Sequence, residues 1–271
     1  MTRLIVIDPR SLRGRELLAL LPRFPGLQMR VEGLHTAHDE EHEIAEVDGE
    51  PVLIPPLEDP AQLDGADAVV LASDSDGPRL EVVERYLDLE PAAPFLDLRG
   101  APSLRERLAP IAGTVARRPD PPWARLAHPA VVATRMALDP LSHLSPAGIT
   151  VAATDSVSSL GSDAVEKLAR QGAQRLQGQA VEDRIADQIL AFTAVTAFAE
   201  DLAADLRQLM PGLHSAATRT LGGSFHGQLV HLGVHFPEAV DLDEITDAWR
   251  DDPRLVLTPP PVRLDEVADS E

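Results

Sequence analysis

Residues 4–7 read Leu-Ile-Val-Ile, and from Ser11 to Leu21 apolar residues return at helical spacing behind a serine suited to an N-cap. A strand apolar at every position needs cover on both faces, which a parallel sheet flanked by helices provides. The alternation continues along the chain. Leu27–Val31 and the wholly apolar Ala68–Leu71 read as strands, Arg79–Leu89 as a helix, and Pro94–Leu98 as a further strand. This βαβαβ rhythm predicts an open, mostly parallel α/β sheet. The proline-rich stretch Arg117–Trp123 then reads as a crossover to a second domain.

The second half has a different grain. Val132–Leu144 carries an apolar helical face, Ile149–Ala153 reads as a strand and Ser158–Leu176 as a long amphipathic helix. Ile185–Arg207 is an apolar stretch ending in a helix. Arg219–Leu221 and Gln228–Phe236 read as strands, the latter alternating Leu229, His231, Gly233, His235 against Val230, Leu232, Val234. Asp241–Arg250 reads as a capped helix and Leu255–Leu257 as a last strand. The expectation is an α+β second domain over 128–257, after a first domain over 1–127 and before an acidic tail at 258–271.

Charge and composition close off several functions. Asp plus Glu number 44 against 24 Lys plus Arg, a formal charge of −20, so phosphate backbones and anionic lipid are repelled. No nucleic-acid or membrane partner is expected. The chain contains no cysteine, which removes disulfides, thiolate metal sites and every thiol nucleophile. Lys167 is the only lysine, so Schiff-base chemistry has one place to live, and its position inside an amphipathic helix reads as a surface charge. Leu4–Ile7, broken by Asp8-Pro9-Arg10, is too short for a signal or spanning helix, and the expected compartment is the cytoplasm.

Four segments in the second half share an order with a known family. They are His128-Pro129-Ala130-Val131-Val132-Ala133-Thr134, Asp155-Ser156-Val157-Ser158-Ser159-Leu160-Gly161, Ile189-Leu190-Ala191-Phe192-Thr193-Ala194-Val195, and Phe225-His226-Gly227-Gln228 running into Val234-His235-Phe236. Together they resemble the semialdehyde dehydrogenases, the aspartate-semialdehyde and N-acetyl-glutamyl-phosphate reductases. The resemblance implies a shortened Rossmann-like domain followed by a dimerisation domain whose sheets meet across a two-fold axis. It also implies an NADP cofactor and a cysteine nucleophile assisted by glutamine, histidine and a substrate-gripping arginine.

The departures fall on those roles. Val131 stands at the family's cysteine and offers no lone pair, Asp155 stands at its glutamine, and Gln228 stands at its histidine and does not titrate near neutrality. The family's arginine falls near Leu221, with Arg219 two residues earlier on the same strand face as a substrate-binding candidate. The nucleotide loop reads Asp8-Pro9-Arg10-Ser11-Leu12-Arg13-Gly14 where the resemblance implies three glycines. Pro9 removes a donor and Asp8 repels a diphosphate, while Arg10, Ser11, Arg13 and Gly14 are the residual cofactor-binding candidates. Ala72-Ser73-Asp74-Ser75-Asp76 places two carboxylates at the second cofactor loop.

Outside the resemblance, His38-Asp39-Glu40-Glu41-His42 matches an H-x-x-E-H zinc pattern, yet Gly33–Gly49 lacks the apolar periodicity of a catalytic helix and reads as an acidic loop or edge. His226, His231 and His235 read as a metal or anion site, or as a sheet face at a dimer interface or under a helix. Asp155 with Glu166 reads as an acid/base pair or as helix N-terminal charge. Ser158 and Ser159 lack a histidine–carboxylate partner nearby in sequence.

The reading that follows is a non-catalytic relative of the family, a pseudoenzyme without bound cofactor. It acts as a homodimer or as the structural or regulatory partner of an active paralogue or larger assembly. The rivals are an NADP-dependent dehydrogenase or NADP- or metabolite-sensing protein using Arg10, Arg13 and Arg219, and a metal-dependent hydrolase using His38 and His42.

Overall fold

The computed structural model describes residues 2–24, 26, 28–37, 43–47, 50–74, 80–112 and 119–258. They form two compact units, Met1–Leu126 with Leu160–Glu166, and Ala127–Ser159 with Lys167–Glu271.

The first unit runs β1 (Thr2–Ile7), α1 (Leu12–Leu20), β2 (Met29–Leu34), β3 (Glu43–Val47), β4 (Glu50–Ile54), β5 (Ala68–Leu71), α2 (Leu80–Asp88), β6 (Phe95–Asp97), β7 (Ala109–Ile111) and β8 (Trp123–Leu126). A six-stranded parallel sheet orders them β2-β1-β5-β6-β8-β7, and β3 and β4 pair as a separate antiparallel hairpin. The apolar run of β1 is explained by its place in the sheet. Ile5 and Ile7 pack with Val69, Leu71, Val83 and Leu87 on one face, and Leu4 and Val6 with Val70, Leu17 and Leu18 on the other. Each such side chain contributes about 1.5–3 kcal/mol on burial, so α1 and α2 are held to opposite faces by the strands between them.

Several boundaries differ from the sequence reading. The second strand is Met29–Leu34 rather than Leu27–Val31, because its pairing with β1 starts at Thr2↔Met29. The end of β2 and all of β3 fall within the stretch expected as an acidic loop. His38 and His42 lie outside the described residues. Trp123 is not part of a crossover. It opens β8 beside Phe95, and the unit closes after Leu126.

The second unit begins with α3 (Pro129–Leu138), whose helix continues as a 3-10 segment over Asp139–Leu144. It proceeds through β9 (Gly148–Asp155), α4 (Ser162–Leu176), β10 (Ala194–Ala197), α5 (Glu200–Leu209), β11 (His214–Gly222), β12 (Gln228–His235) and α6 (Leu242–Arg250). The first turn of α4 belongs to the first unit. The helix expected from Ser158 is broken: Val157–Leu160 forms a 3-10 turn, and Gly161, at φ +97°, separates it from α4. Leu255–Leu257 forms no strand.

The sheet order is β10-β11-β9-β12, with β9 and β11 parallel and the outer strands antiparallel. One face is covered by α3 and α5, and it buries Ile149, Val151 and Ala153 with Val131, Leu202 and Leu206. The opposite face exposes Thr150, Ala152, Ala216, Thr218, Leu229, His231 and His235. No helix among the described residues is long and apolar enough to cross a membrane.

Candidate functional site

The parallel pair β9 and β11 ends at one edge of the second sheet, where Asp155 pairs with Leu221, and β12 starts there with Gln228 opposite Asp155. Period-two alternation puts Asp155, Gln228, Arg219 and Leu221 on the covered face. Asp155 is 1% exposed. Its Oδ2 accepts from Arg219 Nε at 2.6 Å and lies 3.2 Å from His128 Nε2, while Oδ1 accepts from Gln228 Nε2.

His128 is set by the start of α3. It is the N-cap, and its Nδ1 accepts from Ala130 N at 3.2 Å while its own backbone amide donates to Asp205 at 2.9 Å. An Nδ1 that accepts carries no proton, so the hydrogen sits on Nε2 and points at Asp155. Asp205, 1% exposed on α5, thereby anchors the loop that carries the imidazole. Val131 follows one turn into α3, fully buried, its amide donating to His128 O.

Burial raises the Asp155 carboxyl, but the hydrogen bonds from His128, Gln228 and Arg219 outweigh it and hold it at about 2. A carboxylate that far below neutrality, with donors on both oxygens, does not serve as a base near pH 7. The Asp155 and Arg219 charges offset each other within the cluster.

A second constellation lies in the first unit at the C-terminal ends of β1 and β5, the crevice where open α/β sheets seat ligands. Asp8, at φ +58°, accepts from Thr36 N and Oγ1, each at 2.7 Å, and from Ser73 Oγ. Ser11 caps α1 by accepting from Gly14 N at 2.9 Å, and its hydroxyl donates to Ala72 O. Asp74 accepts from Leu12 N at 2.8 Å and Ser162 N at 3.2 Å, and pairs with Arg13 at 3.1 Å. The loops after β1 and β5 are thus joined by their own side chains. At Gly14 a Cβ would meet Asp8 O at 2.5 Å and the Pro9 carbonyl carbon at 2.7 Å, so this glycine serves the packing of helix on loop. Arg10 is exposed at the turn, and Ser75 and Asp76 lie outside the described residues.

The remaining candidates disperse. His226 is exposed before β12, and His231 and His235 stand on the open sheet face. His214 of β11, which no sequence motif marks, flanks Gly148 from the other side of His235. Among the described residues no group of three His, Asp or Glu is placed to hold a metal ion. Ser158 Oγ bonds Ser156 Oγ, and Ser159 Oγ donates to Ser156 O, both within the turn after β9. Glu166 is exposed on α4 and Lys167 beside it is half-buried.

No protein-family model and no curated protein matches the sequence. Solved structures do match the fold. A probable aspartate-semialdehyde dehydrogenase from Pseudomonas aeruginosa superposes with a TM-score of 0.75 at 20% identity, over 93% of this chain and 79% of its own. Aspartate semialdehyde dehydrogenase II from Vibrio cholerae, complexed with ASA, gives 0.77 at 16% identity over 93% and 79%. The aspartate semialdehyde dehydrogenase from Francisella tularensis gives 0.73 at 11% over 92% and 80%. At these identities the likeness is one of fold.

Proposed function

We propose that this chain has the two-domain fold of the semialdehyde dehydrogenases without their chemistry, and acts as a structural or regulatory homodimer or as the partner of another assembly. The observation that carries this reading is the hydrogen-bonded cluster of His128, Asp155, Arg219 and Gln228 beside a buried Val131. Acyl transfer through a thiohemiacetal needs a nucleophile, a proton carrier of suitable pKa and a polarising donor left free for the substrate. Val131 supplies no nucleophile, Gln228 carries no proton, and Asp155 holds His128, Gln228 and the Nε of Arg219.

The first unit supports the same conclusion. A pyrophosphate needs close, donor-rich backbone at a helix N-terminus. Here Pro9 has no amide hydrogen, Asp8 brings negative charge to the turn, and the Leu12 amide already donates to Asp74. These residues do not fit a dinucleotide.

The direct test is phosphate-dependent NADP reduction with aspartate semialdehyde. No rate above a protein-free control is expected, and a rate that co-elutes with the pure chain overturns the proposal. Calorimetry with NADPH is expected to give no binding as tight as about 10 μM, an affinity near 7 kcal/mol.

One observation favours a second reading, a sensor of small anions. Arg219 is 20% exposed and is held to Asp155 through Nε, leaving its two Nη groups for a carboxylate. A rise in melting temperature with aspartate or another dicarboxylate, abolished by Arg219→Gln, would support the sensor over the structural partner.

A further inference from the structure

The carboxylate of Asp74 lies where two helix starts meet the C-terminal end of a parallel strand, a setting that favours negative charge. Two helices, α1 and the first turn of α4, present their first amides, Leu12 N and Ser162 N, to one oxygen, Oδ2. The Arg13 guanidinium meets the other oxygen, Oδ1, and Asp74 is only 14% exposed. Unsatisfied helix N-terminal amides together with a cation attract negative charge. Two further α1 amides are engaged as well, Gly14 N on Ser11 Oγ and Arg15 N on Ser11 O.

The backbone is shaped around this side chain. Gly161 lies at φ +97°, and a Cβ there would fall 2.7 Å from Asp74 Cβ. Only glycine allows α4 to begin so close to the carboxylate. The neighbouring bonds from Ser11 to Ala72 and from Ser73 to Asp8 hold the β5 loop against the β1 loop, which fixes Asp74 over the helix ends.

We propose that Asp74 is an internal anion filling the phosphate seat of the first unit, and that removing its charge opens this seat to inorganic pyrophosphate. The inference rests on the reading that the native chain seats no dinucleotide, and extends it by naming the group that takes the ligand's place. One carboxylate bridges both helix starts, so it also secures Leu160–Glu166 to the first unit.

The test uses the full chain as wild type, Asp74→Ala and Asp74→Ala/Arg13→Ala, melted in sodium pyrophosphate and in sodium chloride of equal ionic strength. The wild type is expected to melt at the same temperature in both salts. Asp74→Ala is expected to melt lower in chloride and to rise by at least about 3 °C in pyrophosphate. Removing Arg13 as well abolishes the rise. A folded Asp74→Ala that ignores pyrophosphate overturns the proposal, as does a wild type that responds equally. Should Asp74→Ala fail to fold, Asp74→Asn keeps the shape without the charge and is judged by the same criterion. Dehydrogenase turnover by the wild type would overturn the functional reading and leave the Asp74 comparison intact, so the two failures are distinguishable.

Discussion

Arg219 donates through Nε to Asp155 Oδ2 at 2.6 Å, joining opposite charges on neighbouring parallel strands where the carboxylate is 1% exposed. Taking one partner from a buried pair leaves the other without compensation, at about 3–5 kcal/mol. Asp155→Ala is expected to lose stability in that range by urea titration, with Arg219, His128 and Gln228 all left without their acceptor. The pH dependence has a definite sign. The folded carboxyl sits at about 2 against a reference of 3.8, so its contribution is present above pH 4 and is lost as pH falls through 4 to 2. That loss amounts to about 2 kcal/mol. Asp155→Asn removes this segment of the acid-unfolding curve, and an unchanged curve would show the carboxylate is not held as described.

Gln171 organises a different part of the second unit. Fully buried on α4, its Nε2 donates to Asp183 O and Gln188 O, and its Oε1 accepts from Leu190 N and Ala191 N. The segment between α4 and β10 has little regular structure, so this amide replaces a ladder. Gln171→Ala strands two buried backbone amides and is expected to cost about 2–4 kcal/mol. Limited proteolysis should then cut between residues 177 and 193. Gln171→Glu keeps the acceptors but turns a carboxylate oxygen toward two carbonyls, and should be no better tolerated.

The elements legible in the sequence were those whose burial is total. Leu4–Ile7 and Ala68–Leu71 are apolar throughout because helices cover both faces, and Ser11 and Asp241 cap helices as their spacing implies. The hairpin of β3 and β4 was hidden because Glu43, Glu46, Glu50 and Pro51 interrupt any apolar run. Leu255–Leu257 has the composition of a strand but pairs with none among the described residues. At the site, motif order pointed to Asp155, Arg219 and Gln228, but their bonding depends on register across three strands separated by as many as 73 residues. His128 was passed over although a polar residue before proline at a helix start is an N-cap signal. Asp74 reads in the sequence as one of two carboxylates at the second cofactor loop, and nothing local to it announces that two helix starts converge there.

Val131→Cys would give an otherwise cysteine-free chain a single thiol, which makes the nucleophile's position directly readable. Position 131 is fully buried in α3, and a thiol in apolar surroundings stays protonated. The variant is expected to resist an alkylating reagent when folded, to react at once in denaturant, and to show no dehydrogenase turnover. Rapid labelling in the folded state would place this residue in an open cleft and weaken the argument from burial.

The open face of the second sheet is the surface on which a homodimer is expected. Across β9, β11 and β12 it forms a shallow trough of about 530 Å³ lined by Thr150, Ala152, Ala216, Thr218 and His231, a row of small side chains that another sheet can approach closely. Asp and Glu are absent from these three strands except at Asp155, which faces the other way, so a chain of charge −20 can pair here without placing carboxylates together. Isologous two-fold pairing is the commonest oligomer geometry. The strand alternation now decides which substitutions test it. Leu229, at 50% exposure, and His231 lie on the open face, whereas Leu232 and Val234 point toward α3 and the core. Light scattering at micromolar protein is expected to give twice the chain mass of 29.2 kDa. Leu229→Asp with His231→Asp should halve that mass while leaving the melting temperature of the fold largely intact. Leu232→Asp should instead destabilise the fold, since it buries a charge beneath α3. A wild type that scatters as a 29.2 kDa particle refutes the dimer, and a dimer indifferent to Leu229→Asp and His231→Asp refutes this face.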